Sequence, residues 1–191
     1  MWGTRTPKRT GNQVRIIAGK WRGRRLRVAD VAGLRPTPDR VRETLFNWLA
    51  PGLPGARCLD LFAGTGALGL EALSRGAAHT VFVEQNPAVA ANLTSTCADL
   101  AALEAEVVGN DVLRFLSTPP TGFDVVFIDA PYDSTLTDRV CRALDADGWL
   151  VHGARVYVET ARDRTLNLPA AWRLLREGCI GQVHSRLYEV S

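Results

Sequence analysis

The stretch from residue 57 to residue 73 constrains the fold more than any other part of the chain. It begins with the apolar run 58–62, which only Asp60 interrupts, then breaks at Gly64 and Gly66 and resumes with apolar residues at helical spacing. This order predicts a strand, a tight turn and a helix, the first unit of a parallel α/β sheet. Because glycine has no Cβ, the turn can approach a ligand closely, and the helix behind it directs free N–H groups at that ligand. The stretch therefore predicts a site for a nucleotide-like cofactor.

The same turn, extended to Gly69, also satisfies the dinucleotide-binding pattern, and Glu84 follows at the spacing which that pattern requires. Two features favour a different cofactor. Asp60 lies inside the strand, and a buried carboxylate there suits a ligand with a positive amino group better than a pyrophosphate. The second feature is the segment 129–132, which an NAD-dependent oxidoreductase would leave unexplained.

Composition excludes several classes of protein. In 191 residues no apolar run approaches the roughly 18 residues that a membrane span needs, and residues 1–10 lack the apolar core of a signal peptide. The four cysteines are scattered, without a C-x-x-C pair, so neither a zinc site, another metal site nor a disulfide framework is expected. We therefore expect a reduced, cytoplasmic compartment and no membrane partner.

The net charge of +3 is divided unequally along the chain. Residues 1–42 carry 12 Lys and Arg against two Asp, whereas residues 43–191 carry 11 basic and 18 acidic residues. Such segregation indicates a polyanion-binding arm on an acidic body. For residues 1–12 we expect no more than a flexible basic tail.

A β-hairpin is predicted next, from strand-like residues 13–18 and 24–28. In the second strand basic and apolar residues alternate, so that one face packs and the other presents charge. A basic face with an exposed Trp21 suits a phosphate backbone and a stacked base, which favours nucleic-acid binding over a purely structural hairpin. The candidate nucleic-acid-binding residues are Arg15, Lys20, Trp21, Arg22, Arg24, Arg25, Arg27, Arg35 and Arg40.

A helix is predicted after the hairpin, with Thr37 as its N-cap and Pro38 at its first position. Arg40 and Arg42 are expected either to serve the active site or to be solvated. The apolar stripe that should face the core consists of Val41, Leu45, Trp48 and Leu49. A linker rich in Pro and Gly, residues 51–55, follows this helix.

The rest of the chain alternates strands and helices, as a parallel sheet requires. The predicted strands are 79–84, 106–108, 123–129 and 156–159; the predicted helices are 87–103, 112–117 and 136–144, and segments 172–177 and 183–189 form a closing antiparallel hairpin. Glu84 ends a strand where it can accept hydrogen bonds from two ribose hydroxyls. Asn110 and Asp111 could meet an adenine edge, although Asp111 could equally be the N-cap of the next helix.

Segment 129–132, Asp-Ala-Pro-Tyr, ends the central strand beside the glycine turn, where open α/β sheets bind ligands. A planar exocyclic amine is a poor nucleophile because its lone pair is delocalised into the base. Asp129 and the carbonyl of Ala130 could each accept a hydrogen bond from such an amine and so aim its lone pair. Pro131 keeps Ala130 extended, and Tyr132 offers a face for the base. The alternative is that Asp129 caps a loop and Tyr132 belongs to the core.

With these residues the sequence resembles class I S-adenosylmethionine-dependent methyltransferases and, in detail, the RsmD family of 16S rRNA guanine-N2 methyltransferases. The matching stretches are residues 14–19, 21–24, 34–37, 39–47 and 60–73. The family's usual catalytic pattern is Asp-Pro-Pro-Tyr/Phe, and here Ala130 stands at the second position. Since that residue contributes a backbone carbonyl, the chemistry is expected to survive with some loss of loop rigidity.

The resemblance implies a Rossmann-like α/β fold with a mostly parallel seven-stranded sheet, helices on both faces and an N-terminal basic β-hairpin. Residues 13–50 would be an RNA-binding extension and residues 51–191 the methyltransferase domain. The catalytic residues would be Asp129, Ala130, Pro131 and Tyr132. The cofactor-binding residues would be Asp60, Phe62, Gly64, Thr65, Gly66, Glu84, Gln85, Asn110, Asp111 and Asp129.

It also implies an enzyme that uses S-adenosylmethionine and no metal to methylate the 2-amino group of one guanine in 16S rRNA. The partner would be the small ribosomal subunit or an assembly intermediate, and the protein would act as a monomer. The target base would be turned out of the RNA into the pocket. The rival functions are a DNA adenine-N6 methyltransferase, a protein-amide methyltransferase and a ribosome-binding protein without catalysis. The first lacks a sequence-reading domain, and the basic arm argues against the second.

Overall fold

The computed structural model describes residues 14–27, 38–131, 134–146 and 148–191. Four sequence expectations lie outside these ranges: the basic tail 1–12, Arg35, the Thr37 N-cap and Tyr132.

Strands and helices alternate through most of the described chain. In order they are β1 (Val14–Arg15), β2 (Arg25–Leu26), α1 (Asp39–Leu49), β3 (Arg57–Asp60), α2 (Ala67–Ser74), β4 (His79–Glu84), α3 (Pro87–Asp99), β5 (Ala105–Gly109), α4 (Val112–Phe115), β6 (Phe123–Asp129), α5 (Ser134–Ala146), β7 (Leu150–Ala161), β8 (Trp172–Ile180) and β9 (Val183–Val190).

Seven of the strands form one sheet in the order β5-β4-β3-β6-β7-β9-β8, and β1 pairs with β2 separately. All neighbours from β5 to β7 are parallel, while β9 runs antiparallel to both β7 and β8. The mostly parallel seven-stranded sheet and the closing antiparallel hairpin are therefore confirmed. The order reverses direction at β3, so the carboxyl ends of β3 and β6 form the switch point where such sheets bind ligands.

Helices cover both faces of this sheet, as expected. Adjacent residues of β3 belong to different cores: Cys58 packs with α1, α2 and α3 on one face, and Leu59 packs with α4 and α5 on the other. The central strand β6 is almost wholly apolar because both of its faces are covered. Helix α2 lies close against β4, since a Cβ on Gly69 would stand only 2.2 Å from the ring of Phe82.

The N-terminal hairpin packs into the same core as α2. Val14, Ile16 and Leu26 are buried there. The strands β1 and β2 are only two residues long, shorter than predicted. Trp21 is half-buried against this core and lies beneath the Nζ of Lys20, so the expectation of an exposed tryptophan is wrong.

Helix α1 differs from the expectation in two ways. Pro38 is the N-cap residue instead of the first helical residue. Arg42 is completely buried, so the alternative that it is solvated is wrong. Its Nη2 donates to a carboxylate oxygen of Asp39 at 2.7 Å and to the backbone oxygen of Arg15 at 2.8 Å. The side chain is inside because it shares the face of α1 that packs on α2, together with Phe46, which the predicted stripe omitted.

Two element boundaries also differ. Helix α3 ends at Asp99, because Ala101 has a φ of 50° and cannot continue the helix, and Leu103 beyond it is exposed. Strand β7 begins at Leu150, six residues before the apolar run from which it was predicted. Within the described ranges no helix has the length and apolar character to cross a membrane.

Candidate active site at the carboxyl ends of the parallel strands

The glycine turn between β3 and α2 has the conformation that its sequence predicts. Gly64 and Gly66 have φ values of 50° and 74°, in the left-handed region that L side chains rarely adopt. A Cβ on Gly66 would also stand 2.4 Å from a methyl carbon of Leu93. Gly66 is the N-cap of α2 and has no side chain to cap it, and among the first three N–H groups of the helix only that of Gly69 donates to a described side chain, Asp60. The start of α2 therefore presents backbone donors to a ligand.

Asp60 lies beneath this turn and is buried, with 2% of its surface exposed. Its Oδ2 accepts a hydrogen bond from the N–H of Gly69 at 3.0 Å. Burial, and then the charges of Asp129 and Glu84, raise the pKa of this carboxyl to about 7. No ion pair neutralises Asp60 within the part of the chain that the structure describes. A cationic ligand would relieve this concentration of negative charge.

Glu84, at the end of β4, holds the glycine turn in place. Its Oε2 accepts a hydrogen bond from the N–H of Gly64 at 2.9 Å, and its Oε1 accepts one from the N–H of Asn86 at 2.8 Å. Each carboxylate oxygen has a further lone pair, so these contacts leave acceptor capacity for a hydroxyl group. The sequence did not reveal this positioning role, because it depends on two strands meeting at the same edge of the sheet.

Asp111 is the N-cap of α4, the alternative that the sequence left open. Its Oδ1 accepts hydrogen bonds from the N–H groups of Leu113 and Arg114 at 3.0 and 3.1 Å. Asn110 in turn accepts from the N–H of Asp111 at 2.9 Å. Both residues lie beyond the carboxyl end of β5, next to Glu84 at the end of β4. The remaining candidates lie close by: Phe62 and Thr65 belong to the turn, and the exposed Gln85 follows Glu84.

The strand register brings the acidic residues to one edge and one face of the sheet. Asp60 pairs with Phe82 on one side and with Phe127 on the other, and Phe127 pairs with Tyr157. Side chains two residues further along a strand return to the same face. An acidic row therefore crosses the sheet on this face, formed by Asp60, Glu84, Asp129 and Glu159.

Asp129 and Ala130 are half-buried at the end of β6, and Pro131 is exposed. Asp129 pairs in register with Glu159 of β7. Glu159, which sequence reasoning missed, is 8% exposed and accepts a hydrogen bond from the hydroxyl of Tyr157 at 2.9 Å. Burial, and then the Glu159 carboxylate, raise the pKa of Tyr157 well above its ordinary value. The sequence did contain a signal that could have identified Glu159 as a candidate: it ends an apolar strand segment, as Glu84 does.

The basic residues of the hairpin divide into two groups. Four of them contact acidic or backbone groups: Arg15 pairs with Asp39 at 2.8 Å, Lys20 with Glu104 at 3.4 Å and Arg27 with Asp99 at 3.5 Å, while Arg24 donates to the backbone oxygen of Asp99 at 3.2 Å. Arg22, Arg25 and Arg40 are exposed and form no ion pair with any described residue. These three carry the charge that is most accessible to a polyanion.

Glu71, in the middle of α2, anchors the hairpin, a role that sequence reasoning also missed. It is fully buried, and its carboxylate accepts hydrogen bonds from the N–H groups of Ile17 and Ala18 at 2.7 and 3.0 Å. Two arginines neutralise it, Arg75 at 2.7 Å and Arg42 at 3.6 Å. We call these five residues the Glu71 cluster. It fixes the hairpin to the helix that starts at the glycine turn.

Within the described ranges no group of three or more His, Cys, Asp or Glu side chains could hold a metal ion. Cys58, Cys97 and Cys141 are buried and Cys179 is exposed, all as free thiols.

The chain is similar to known proteins along almost its whole length. Residues 14–189 match the family described as Conserved hypothetical protein 95. The chain is 49% identical to the ribosomal RNA small subunit methyltransferase D of Escherichia coli K12, over 96% of this chain and 93% of the relative. It is 46% identical to the protein of the same name from Haemophilus influenzae, over 96% and 97%. The solved structure of the Escherichia coli protein yhhF superposes with a TM-score of 0.88 at 46% identity, over 94% of this chain and 98% of that one. The chain therefore belongs to the ribosomal RNA small subunit methyltransferase D family.

Proposed function

We propose that the protein is an enzyme that transfers a methyl group from S-adenosylmethionine to the 2-amino group of one guanine in 16S rRNA. The observation that carries this proposal is the meeting of Asp129 and Ala130 with Asp60 and the glycine turn at the switch point of the sheet. The names of relatives that are nearly half identical over almost the whole chain support the same reaction and an rRNA substrate.

The residues of the site fit S-adenosylmethionine, whose sulfonium and amino groups are positively charged. Asp60 and its acidic neighbours favour a cation, and Gly64 and Gly66 leave room for close approach of the methionine end, with Phe62 and Thr65 beside it. Glu84 and Gln85 would receive the ribose hydroxyls. The adenine would lie against Asn110 and Asp111. When bound, the cofactor supplies an electrophilic methyl group, whose bond to sulfur breaks as the new bond to nitrogen forms.

The protein's own task is to orient and activate the guanine amine. Asp129 accepts one N–H of the 2-amino group and the carbonyl of Ala130 accepts the other, which draws electron density back to the nitrogen and aims its lone pair. The amine must lose one proton as it is methylated, and the Asp129 carboxylate is the nearest acceptor in this arrangement. Pro131 fixes the direction of the Ala130 carbonyl. Tyr132, which lies outside the described residues, would offer its ring to the flipped base.

The N-terminal residues 13–50 would serve as the RNA-binding extension of the methyltransferase domain 51–191. Arg22, Arg25 and Arg40 support this assignment because they are exposed and form no ion pair among the described residues. The other candidates, Arg15, Lys20, Trp21, Arg24, Arg27 and Arg35, would contribute secondary contacts. The enzyme would act as a cytoplasmic monomer on the small subunit or an assembly intermediate.

The test uses methyl-labelled S-adenosylmethionine and small ribosomal subunits that lack the modification. After digestion of the RNA, the label should appear in N2-methylguanosine. Asp129→Asn should lower the rate at least 100-fold, on the order expected when one donor or acceptor to the reacting group is lost. Asp124→Asn is the matched control, because Asp124 is at the opposite end of the same strand, where it accepts the N–H of Arg57. Absence of label in any RNA, despite measurable binding of the cofactor, would refute the proposal.

A further inference from the structure

Glu159 is a buried carboxylate on the strand next to Asp129, and the proposed chemistry gives Glu159 no role. It stands on β7 directly opposite Asp129, on the same face of the sheet. Burial of a carboxylate costs free energy unless hydrogen bonds or charges compensate it. A residue of this kind at the edge of an active site is a candidate for contact with the substrate.

A chain of three hydroxyl and carboxylate groups fixes the position of Glu159. The hydroxyl of Tyr157 lies 2.9 Å from Oε2 of Glu159 and 2.9 Å from the Oγ of Ser185, the residue that pairs with Glu159 on β9. A carboxylate only accepts, so the single hydroxyl proton of Tyr157 points to Glu159, and Ser185 must donate to Tyr157. The chain therefore runs from Ser185 through Tyr157 and ends on an acceptor.

Asp129 and Glu159 stand on neighbouring strands, in register and on the same face. Burial is the main reason that the pKa of Tyr157 is raised, and the charges of Glu159 and, to a smaller extent, Asp129 add to the effect. The two carboxylates therefore lie side by side at the edge of the sheet where the target base would be held. A carboxylate accepts up to about four hydrogen bonds, so the contact with Tyr157 does not by itself exhaust the acceptor capacity of Glu159.

The Watson–Crick edge of guanine presents its donors side by side: the 2-amino group and the adjacent N1–H. In adenine the N1 position is an acceptor. We infer that Glu159 accepts the N1–H of the target guanine while Asp129 holds the neighbouring 2-amino group, so that Glu159 selects guanine at this site. The inference rests on the proposed function and adds to it the residue that recognises the base. A base with an unprotonated N1 would place a lone pair against the carboxylate and be rejected.

The substitution Glu159→Gln tests this contact with little disturbance of the fold. The amide is close in shape to the carboxylate, and its carbonyl oxygen can still accept from Tyr157. The two substrates are small-subunit particles reconstituted with 16S rRNA that carries, at the methylated position, either guanine or 2-aminopurine. The second base keeps the 2-amino group but has no N1–H. Methyl transfer is measured as kcat/KM for both enzymes on both particles.

The wild-type enzyme should prefer guanine to 2-aminopurine. Glu159→Gln should lower kcat/KM on guanine by roughly 10- to 100-fold, as expected for a lost hydrogen bond to a charged group. On 2-aminopurine the same substitution should leave kcat/KM unchanged or raise it, because it removes the carboxylate that opposes the N1 lone pair and supplies an amide N–H that can donate to N1. Tyr157→Phe should show the same dependence on the base with a smaller loss, since it only releases the carboxylate from its fixed position.

An equal loss on both substrates would overturn the inference, because it would mean that Glu159 supports the fold or orients Asp129. An unchanged rate on guanine would overturn it as well. If wild-type enzyme fails to methylate guanine in any particle, the proposed function itself fails, and the inference falls with it. Binding of S-adenosylmethionine by Glu159→Gln is measured in parallel and should stay within about twofold of wild type, because the residue contacts the base and not the cofactor.

Discussion

Two buried carboxylates contact helix α2, and their surroundings are opposite. Glu71, within the helix, accepts two backbone N–H groups and pairs with Arg42 and Arg75. Asp60, at the end of β3, accepts the N–H of Gly69 in the first turn of the helix, and the charges near it are those of other acidic residues. Within the described ranges it forms no ion pair. One carboxylate is compensated by the protein and the other is not.

This difference separates a structural site from a functional one. A buried charge with its partners in place holds elements together, and removal of one partner is costly. A buried charge that the protein leaves uncompensated raises its own pKa and reduces stability, and such groups concentrate where ligands bind. Glu71 therefore fixes the hairpin on the helix, while Asp60 is the carboxylate for which we propose a cationic ligand.

The largest expected effect is a loss of stability when the compensated carboxylate, Glu71, is removed. Glu71→Ala removes one of the two acidic partners of the buried Arg42, the other being Asp39, and also removes the acceptor for the N–H groups of Ile17 and Ala18. We expect the free energy of unfolding to fall by about 3–5 kcal/mol in denaturant titrations. Glu104→Ala is the matched control, because Glu104 also pairs with the hairpin, through Lys20, but at the surface. It should leave stability almost unchanged, and an equal effect of the two substitutions would remove the distinction drawn for Glu71.

A second prediction concerns the uncompensated carboxylate, Asp60, and the dependence of stability on pH. The pKa of Asp60 is raised in the folded protein, to about 7 from the ordinary 3.8, so the folded state binds an extra proton between these values. The stability of wild type should therefore fall as pH rises from about 4 to about 7, with a contribution from this group of up to roughly 1.4 kcal/mol per pH unit. Asp60→Asn keeps an acceptor for Gly69 but carries no charge. Its stability relative to wild type should rise across this range, and a difference independent of pH would contradict the account.

The smallest expected effect is on RNA affinity, when exposed arginines of the hairpin that the Glu71 cluster holds are replaced. Arg22→Ala and Arg25→Ala should each reduce the salt dependence of RNA affinity by about one unit of the log–log slope, as loss of one phosphate contact does. The free energy of unfolding should not change. Arg27→Ala is the control, since Arg27 already pairs with Asp99, and its effect on the slope should be smaller. Equal slopes for wild type and all variants would exclude the hairpin as the RNA contact.

The sequence predicted what depends on local pattern. The apolar runs located the sheet, the glycines located the turn, and Asp60 and Asp129 were recognised because each stands next to a turn at the end of a strand. The Glu71 cluster was not predicted, because the contacts that fix the hairpin, from Ile17 and Ala18 to Glu71, join residues more than 50 positions apart. The same reason hid the burial of Arg42, which looks like a surface residue in an amphipathic pattern until α1 is packed on α2.

Glu159 shows the other limit of sequence reasoning. Its place at the end of a strand was visible, but only the register with Asp129 and the hydrogen bond from Tyr157 indicate what it faces. Strand order and register are set by tertiary packing, which single-sequence patterns do not specify.

The most direct test of the account is calorimetric titration of S-adenosylmethionine into the protein at pH 6, in two buffers with different enthalpies of ionisation. At this pH Asp60 is mostly protonated, since its pKa is raised to about 7, and a bound cation should drive that proton off. The account predicts that wild type releases close to one proton more than Asp60→Asn on binding, and that the variant binds more weakly. Equal proton release and equal affinity for the two proteins would contradict the claim that Asp60 awaits a cationic cofactor.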